Sequence, residues 1–174
     1  YGVDKGLVVG IMAGGDNAMF IAQEGAEDSL ELARGDLSQY QINENDTVIG
    51  LAASGRTPYV IGGLRYAREI GALTGAISCV QNAEISKFAD YPIEAVTGAE
   101  AIMGSTRMKA GTAQKLILNM ISTSVMIKLG KVYKNYMVDL KPTNKKLVVR
   151  SKNMIRTLTG VDDELAEKLY EESG

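Results

Sequence analysis

Short apolar runs alternate with amphipathic stretches along most of the chain. Four runs are short and bounded by turn residues, so we predict strands at residues 7–13, 47–53, 72–80 and 93–96. The second of these runs shows no alternation of apolar and polar residues, which is typical of a strand covered on both faces in a parallel sheet.

Between these runs, apolar residues recur at helical spacing. We predict helices at residues 16–40, 59–70, 83–89 and 106–129. Pro58 suits the first turn of the second helix, and Gly130 ends the last. Strands that alternate with helices in this way predict an α/β fold, a three-layer αβα sandwich with a mainly parallel sheet.

The pattern changes after Pro142. Residues 144–158 and 162–172 read as two short amphipathic helices joined by a turn that contains Gly160. We therefore predict two domains, an α/β domain at residues 1–142 and a helical appendage at residues 143–174. Because the chain begins at Tyr1 without methionine and stops just after a helical pattern, we expect it to be part of a longer protein.

The amino-acid composition excludes several classes of partner and catalytic site. The 174 residues carry a net charge of −2 and include 45% apolar and 23% charged residues, an ordinary globular balance that argues against a nucleic-acid partner. No apolar run approaches the ~20 residues of a membrane span, so we predict no membrane partner. The chain has no histidine, which removes the histidine-based triads and the usual zinc ligands. Cys79 is the single cysteine and predicts a reducing, cytoplasmic location.

The first candidate site is the turn formed by Ser54, Gly55, Arg56 and Thr57, between a predicted strand and the helix that begins near Pro58. Ligands bind beyond the carboxyl ends of parallel strands, and a helix N-terminus attracts anions. The turn lacks the Gly-Lys-Ser/Thr ending of a nucleotide-binding loop, so a sugar phosphate fits better than ATP. A capped turn without a ligand explains the same residues equally well.

The second candidate precedes the longest predicted helix and contains Ser105, Thr106, Arg107 and Lys109. Cations in a first helical turn contradict the usual preference for acidic residues there. This mismatch favours an anion-binding role over a simple cap with solvated charges.

The third candidate is the acidic group Glu24, Glu27 and Asp28, which helical spacing would place on one face. Without histidine, a partly buried carboxylate is the natural general base. A solvated acidic face fits the same residues, and the pattern alone does not choose among the three carboxylates.

Several motifs together resemble one family. The matching segments are residues 13–15, 24–28, 52–59, 104–115, 118–123 and 131–139. They are similar to the N-acetylmuramic acid 6-phosphate etherases, which belong to the sugar isomerase (SIS) domain superfamily and are relatives of the glucokinase regulatory proteins. The resemblance covers nearly the whole chain and implies the SIS fold.

The resemblance also implies a reaction. These lyases cleave the D-lactyl ether of N-acetylmuramate 6-phosphate to N-acetylglucosamine 6-phosphate and D-lactate in the recycling of cell-wall amino sugars. The C1 aldehyde of the opened ring acidifies the proton on C2, a carboxylate removes that proton, lactate leaves from C3, and water then adds. The resemblance implies no metal and no redox cofactor.

By motif, Glu27 falls on one of the family's two active-site glutamates. Binding of the sugar phosphate, or ordering of its loops, is implied for Ser54, Gly55, Arg56, Thr57, Ser105, Thr106, Arg107 and Lys109. The family's other active-site glutamate, a further sugar-phosphate loop and an early strand are expected upstream of Tyr1. The C-terminal helices resemble a small ubiquitin-associated-like module, and a homodimer is implied.

Two other functions fit part of this pattern. A non-catalytic sugar-phosphate sensor, like the regulatory relatives, would bind phosphosugars and release no lactate. A sugar-phosphate isomerase would interconvert aldose and ketose without cleaving an ether, and the Gly-Ser-Thr-Arg-Met-Lys motif at residues 104–109 argues against it.

Overall fold

The computed structural model describes residues 2–173. They form two compact units, of which the larger is Gly10–Leu118. The predicted domain boundary at residue 142 does not coincide with this division and stays a prediction. Tyr1 and Gly174, the outer ends of the two predicted domains, lie outside the described residues.

The larger unit contains a parallel sheet of three strands. Strands β1 (Thr47–Leu51), β2 (Leu73–Ser78) and β3 (Tyr91–Glu94) lie in the order β1-β2-β3. Gly75 of β2 pairs with Ile49 on one side and Tyr91 on the other. The predicted parallel sheet is confirmed, with three strands rather than four, and β2 is its most buried strand.

Helices cover the sheet and form the core with it. Helix α2 (Pro58–Glu69) packs against β1 and β2, and α1 (Leu32–Ser38) packs against α2. A short 3₁₀ helix, Glu84–Phe88, also packs against α2 and β2 and replaces the predicted helix at 83–89. The buried cluster consists of Ala52, Ile61, Leu64, Ala76, Ala83 and Ile85. This arrangement confirms the α/β sandwich.

The predicted first strand, at residues 7–13, is wrong. The segment forms turns instead, in which the Leu7 amide donates to the Asp4 carbonyl and the Gly15 amide donates to the Met12 carbonyl. Leu7 and Val8 are exposed. An apolar run becomes a strand only where a neighbouring strand accepts its backbone hydrogen bonds, and within residues 2–173 this segment pairs with none.

The single helix predicted at residues 16–40 is also wrong. The region contains the 3₁₀ turns Asp16–Met19 and Ala26–Asp28, and α1 follows them. Gly25 adopts a left-handed conformation with φ of 77°, which a right-handed helix cannot continue through. The helical spacing of apolar residues therefore corresponds to an α-helix only from Leu32 onward.

Later elements follow the predictions more closely. Helix α3 (Lys109–Lys128) confirms the long helix, and Gly130 follows its end with φ of 75°. A small antiparallel hairpin of β4 (Val132–Tyr133) and β5 (Tyr136–Met137) was not predicted.

The C-terminal helices are confirmed as α4 (Lys145–Thr159) and α5 (Asp163–Glu172). The Asn144 side chain accepts from the Leu147 amide at the start of α4, and Asp162 caps α5 in the same way. The two helices pack together, with ion pairs of 2.5 Å from Lys152 to Glu167 and from Arg156 to Asp163. Among residues 2–173, no helix combines the length and the apolar character that crossing a membrane requires.

Helix α2 depends on a glycine at its contact with the segment before α1. A Cβ atom on Gly62 would lie 1.8 Å from the carbonyl oxygen of Leu30. The backbone of that segment therefore rests directly on the helix. Glycine normally weakens a helix, so its place here is explained by this close approach.

We expect Gly62→Ala to lower the free energy of unfolding by about 1–3 kcal/mol, because the new methyl group must push the Leu30 backbone away. Gly35→Ala is the matched control, since Gly35 lies in α1 with no atom within 4 Å of an added Cβ. That change should raise the free energy of unfolding by about 0.5–1 kcal/mol. Denaturant unfolding measures both, and equal shifts in the two variants would contradict the packing argument.

Candidate functional site

A cavity of about 820 Å³ opens at the carboxyl end of β1 in the Gly10–Leu118 unit. The segments that surround it are far apart in the chain. The polar side chains on its wall are Gln23, Glu24, Glu27, Ser54, Thr57, Tyr59, Thr106 and Gln114. The wall therefore combines carboxylates, hydroxyls and amides, which can bind a polar ligand and exchange protons with it.

The turn after β1 has a backbone that only glycine can follow. Gly55 has φ of 70°, and a Cβ atom there would lie 2.5 Å from the Cβ of Ala83. The Gly55 amide donates to the Ala52 carbonyl, and its carbonyl accepts from the Ile85 amide. These contacts set Ser54 and Thr57 at the cavity wall.

Thr57 also begins α2. It adopts an extended conformation as the residue before Pro58, and its side chain makes no capping hydrogen bond to the helix. Thr57 lines the cavity beside the positive end of the α2 dipole. An anionic group bound here would meet a hydroxyl donor and the first free amides of α2.

The acidic group does not form a helix face. Glu27 lies in the 3₁₀ turn Ala26–Asp28, just after the left-handed Gly25, and Glu24 lies in the preceding turn. Both line the cavity, whereas Asp28 does not. The prediction of one shared helix face is therefore wrong, although the turn still brings both glutamates to the same cavity.

The segment before α3 is organised by a carboxylate that the sequence reading missed. Glu100 accepts from the amides of Lys109 and Ala110, at 3.0 and 2.9 Å, at the start of α3. These two amides hold the pKa of Glu100 below its ordinary value. An anion at this helix end would have to compete with Glu100 for both amides.

The two cationic side chains of the segment before α3 donate hydrogen bonds to nearby residues of the same segment. The Arg107 Nε donates to the Ser105 hydroxyl at 3.1 Å, and the Lys109 Nζ donates to the Ala99 carbonyl at 2.7 Å. Thr106 is the member of the segment's predicted set that lines the cavity. Ser105, Arg107 and Lys109 lie off the cavity wall, as do Gly55 and Arg56 of the first turn.

Tyr59 is a further cavity residue that the sequence reading missed. Its hydroxyl donates to Asp36 at 2.6 Å, and burial, together with this bond, raises the pKa of Tyr59 above its ordinary value. The tyrosine is therefore a neutral donor at neutral pH. Tyr59 and Gln114 lie in the family-like segments 52–59 and 104–115, which was the available signal for both. Gln23 carried none that sets it apart from a surface glutamine.

Among residues 2–173, no group of three or more acidic or thiol side chains is placed to hold a metal ion. The chemistry that the cavity wall offers is proton transfer by a carboxylate and hydrogen bonding to an anion.

We expect Glu100→Ala to lower the free energy of unfolding, since two amides at the start of α3 lose their acceptor. Glu100→Gln keeps one acceptor oxygen and should lose less. Denaturant unfolding, followed by circular dichroism at helical wavelengths, measures both variants. A neutral Glu100→Ala would show that the carboxylate contributes nothing to this helix end.

Comparison with known proteins places the chain in a family. Residues 2–68 match the family model of the glucokinase regulatory protein N-terminal SIS domain. This match covers β1 and most of α2, together with the turn between them.

Curated relatives match over the whole chain. The chain is 69% identical over 174 residues to the N-acetylmuramic acid 6-phosphate etherase of Clostridium botulinum (strain Eklund 17B / Type B), covering 100% of the chain and 58% of that protein. It is 60% identical over 173 residues to the etherase of an Exiguobacterium species, covering 99% of the chain and 59% of that protein. The chain is 61% identical to the etherase of Lactococcus lactis subsp. lactis (strain IL1403), and the match covers 99% of the chain and 58% of that protein.

The chain thus spans less than two thirds of the length of these relatives. The matched region includes the cavity segments and the C-terminal helices. The predicted resemblance is confirmed: over the segment that it shares with these relatives, the chain belongs to the N-acetylmuramic acid 6-phosphate etherase family, and its α/β unit is of the SIS type.

Proposed function

We propose that the protein containing this chain cleaves the D-lactyl ether of N-acetylmuramate 6-phosphate, giving N-acetylglucosamine 6-phosphate and D-lactate in amino-sugar recycling. The observation that carries the proposal is the cavity, whose wall includes Glu27 together with Ser54, Thr57 and Thr106. The relatives at 60–69% identity that are named etherases support it.

Glu27 is the proposed proton-transfer group. The C1 aldehyde of the opened sugar acidifies the C2–H bond, and a carboxylate takes that proton. The electron pair of the broken C2–H bond forms a C2–C3 double bond as the C3–O bond breaks, and the departing lactate oxygen takes up a proton. Water then adds at C3, and C2 is protonated. Each step needs proton transfer and no change of oxidation state, which suits a wall of carboxylates and hydroxyls.

The phosphate end of the substrate is proposed to bind at the turn between β1 and α2. Ser54 and Thr57 offer hydroxyl donors there, Gly55 permits a close backbone approach, and α2 offers its positive end. Arg56 is exposed beside this turn and supplies positive charge. These features fit a phosphomonoester better than a neutral sugar.

The segment of residues 104–109 has a proposed second role in the same site. Thr106 faces the cavity, and the bonds of Arg107 to Ser105 and of Lys109 to Ala99 support an ordering role for these cations. We therefore propose that Thr106 contacts the sugar and that Ser105, Arg107 and Lys109 hold its loop in place.

A non-catalytic regulator is less well supported. The family model that matches residues 2–68 describes a regulatory protein, but relatives with 59–69% identity over nearly the entire chain are named etherases. Release of D-lactate distinguishes the two functions, because a regulator binds the phosphosugar and leaves its ether intact.

Location and organisation are also proposals. The only cysteine, Cys79, is buried and free, which suits a reducing cytoplasm. The mutual packing of α4 and α5 supports a helical module at residues 143–174 beside a SIS domain at residues 1–142.

We further propose a homodimer formed through α3. Leu116, Met120 and Ile127 are exposed and lie on one face of this helix at spacings of four and seven residues. A helix that is apolar around most of its surface is normally covered. A second copy of the chain would cover this face.

Met120→Glu should shift the protein from dimer to monomer in sedimentation experiments at micromolar concentration, because a charge would be buried in the interface. Asn119→Glu is the control, since it adds the same charge on another side of α3. A wild-type monomer, or equal shifts in both variants, would refute this interface.

Glu27→Gln should slow the release of D-lactate by roughly 10²–10⁴-fold, the usual contribution of a placed proton-transfer group. The protein is expressed from its complete reading frame and incubated with N-acetylmuramate 6-phosphate, and D-lactate is measured enzymatically. Glu31→Gln is the control, because Glu31 is close in the chain and does not line the cavity. A fully active Glu27→Gln variant would remove this residue from the mechanism.

A further inference from the structure

Glu94 is the last residue of β3, and its carboxylate accepts hydrogen bonds from the loop that follows β2. Its Oε2 accepts from the Asn82 amide at 2.8 Å. Its Oε1 accepts from the Ala83 amide at 3.0 Å and from the Ser86 hydroxyl at 2.6 Å. One side chain therefore holds three donors of the segment that follows β2, which we call the 80–86 loop. Glu94 itself does not line the cavity.

The 80–86 loop is the surface on which the turn after β1 rests. A Cβ atom on Gly55 would lie 2.5 Å from the Cβ of Ala83 and 2.9 Å from a methyl carbon of Val80. The Ile85 amide donates to the Gly55 carbonyl at 2.9 Å. Ala83 and Ile85 are both buried, so this contact is part of the core. Any shift of the 80–86 loop must move Gly55.

The backbone of the 80–86 loop contains an unfavourable conformation that is held by a hydrogen bond from outside the loop. Asn82 adopts φ of 55°, in the left-handed region that residues other than glycine seldom occupy. The Glu94 bond to the Asn82 amide holds this conformation. The three donors also hold the pKa of Glu94 below its ordinary value, with the Ser86 hydroxyl as the largest cause. The carboxylate is therefore ionised, and its bonds are of the stronger, charge-assisted kind.

We propose that Glu94 is a positioning residue for the phosphate end of the substrate, acting through the 80–86 loop on Gly55 and hence on Ser54 and Thr57. The proposal rests on the proposed function, in which those two hydroxyls bind the phosphate and Glu27 transfers the proton. Glu94 touches neither group. Its loss loosens the phosphate-binding turn and leaves the carboxylate of Glu27, in the turn before α1, unchanged.

The expected signature is a rise in KM with little change in kcat. Glu94→Ala should raise KM for N-acetylmuramate 6-phosphate by roughly tenfold, the factor for losing about one charge-assisted hydrogen bond. Glu94→Gln keeps an acceptor oxygen and should give an intermediate KM. Ser86→Ala removes one of the three donors and provides a milder variant that retains the fold if Glu94→Ala does not.

Glu84→Ala is the matched control. Glu84 is an exposed glutamate in the same loop, and no hydrogen bond of its side chain occurs within residues 2–173. The Glu84→Ala variant removes the same negative charge and leaves the hydrogen bonds of Asn82 and Ala83 intact. KM and kcat of this variant should equal those of the wild-type protein.

A second measurement does not depend on catalysis. Hydrogen exchange of the Ile85 amide reports the bond to Gly55 directly, and Glu94→Ala should accelerate it by roughly tenfold relative to wild type and to Glu84→Ala. Faster exchange together with a raised KM and a steady kcat supports the proposal.

Three results would overturn it: an unchanged KM in Glu94→Ala, a loss confined to kcat, or an unchanged exchange rate at Ile85. A wild-type protein that releases no D-lactate contradicts the proposed function instead. In that case, the affinity for N-acetylglucosamine 6-phosphate is measured by titration in place of KM. An affinity in Glu94→Ala equal to that of the wild-type protein would then overturn the positioning role.

Discussion

Parallel pairing of β1 with β2, and of β2 with β3, is the constraint on which the site depends. Parallel strands place their carboxyl ends at one edge, so the loops that follow them must meet there. The hydrogen bonding continues past the strand ends, where the Cys79 amide donates to the Ala53 carbonyl and the Ala95 amide donates to the Ser78 carbonyl. The cavity lies at the carboxyl end of β1, and its wall also includes Gly104 and Thr106 from the segment between β3 and α3.

Close backbone contacts then set the positions of the cavity walls. Gly62 lets the Leu30 carbonyl rest on α2, which holds the segment carrying Glu27 against the helix. Gly55 lets the turn after β1 rest on Ala83. In both places a side chain would separate backbones that must touch, so glycine is required for reasons of space. Two segments of the cavity wall thus each depend on a different close contact, one at Gly62 and one at Gly55.

Carboxylates in this unit divide into two groups. Asp90, Glu94 and Glu100 each accept hydrogen bonds from backbone amides. The pKa of each lies below its ordinary value, chiefly because of the Thr74 hydroxyl for Asp90, the Ser86 hydroxyl for Glu94 and the Ala110 amide for Glu100. Their charges are used to fix loops at the ends of β2, β3 and α3. Glu24 and Glu27 instead face the cavity. In a chain without histidine, carboxylates therefore serve both structure and the proposed proton transfer.

The sequence by itself determined the sheet strands, α2, α3 and the C-terminal helices, because the spacing of apolar residues records which face of an element is buried. The strand-turn-helix pattern indicated the Ser54–Thr57 turn as a candidate site, motif resemblance indicated Glu27 among three carboxylates, and the roles of both stay proposals. Tertiary structure alone decided that residues 7–13 form turns, that the helical pattern before Leu32 is broken, and that Glu94 and Glu100 hold loops. Each of these outcomes depends on a hydrogen-bonding partner or a backbone angle supplied by the folded chain, and local periodicity carries no record of such partners.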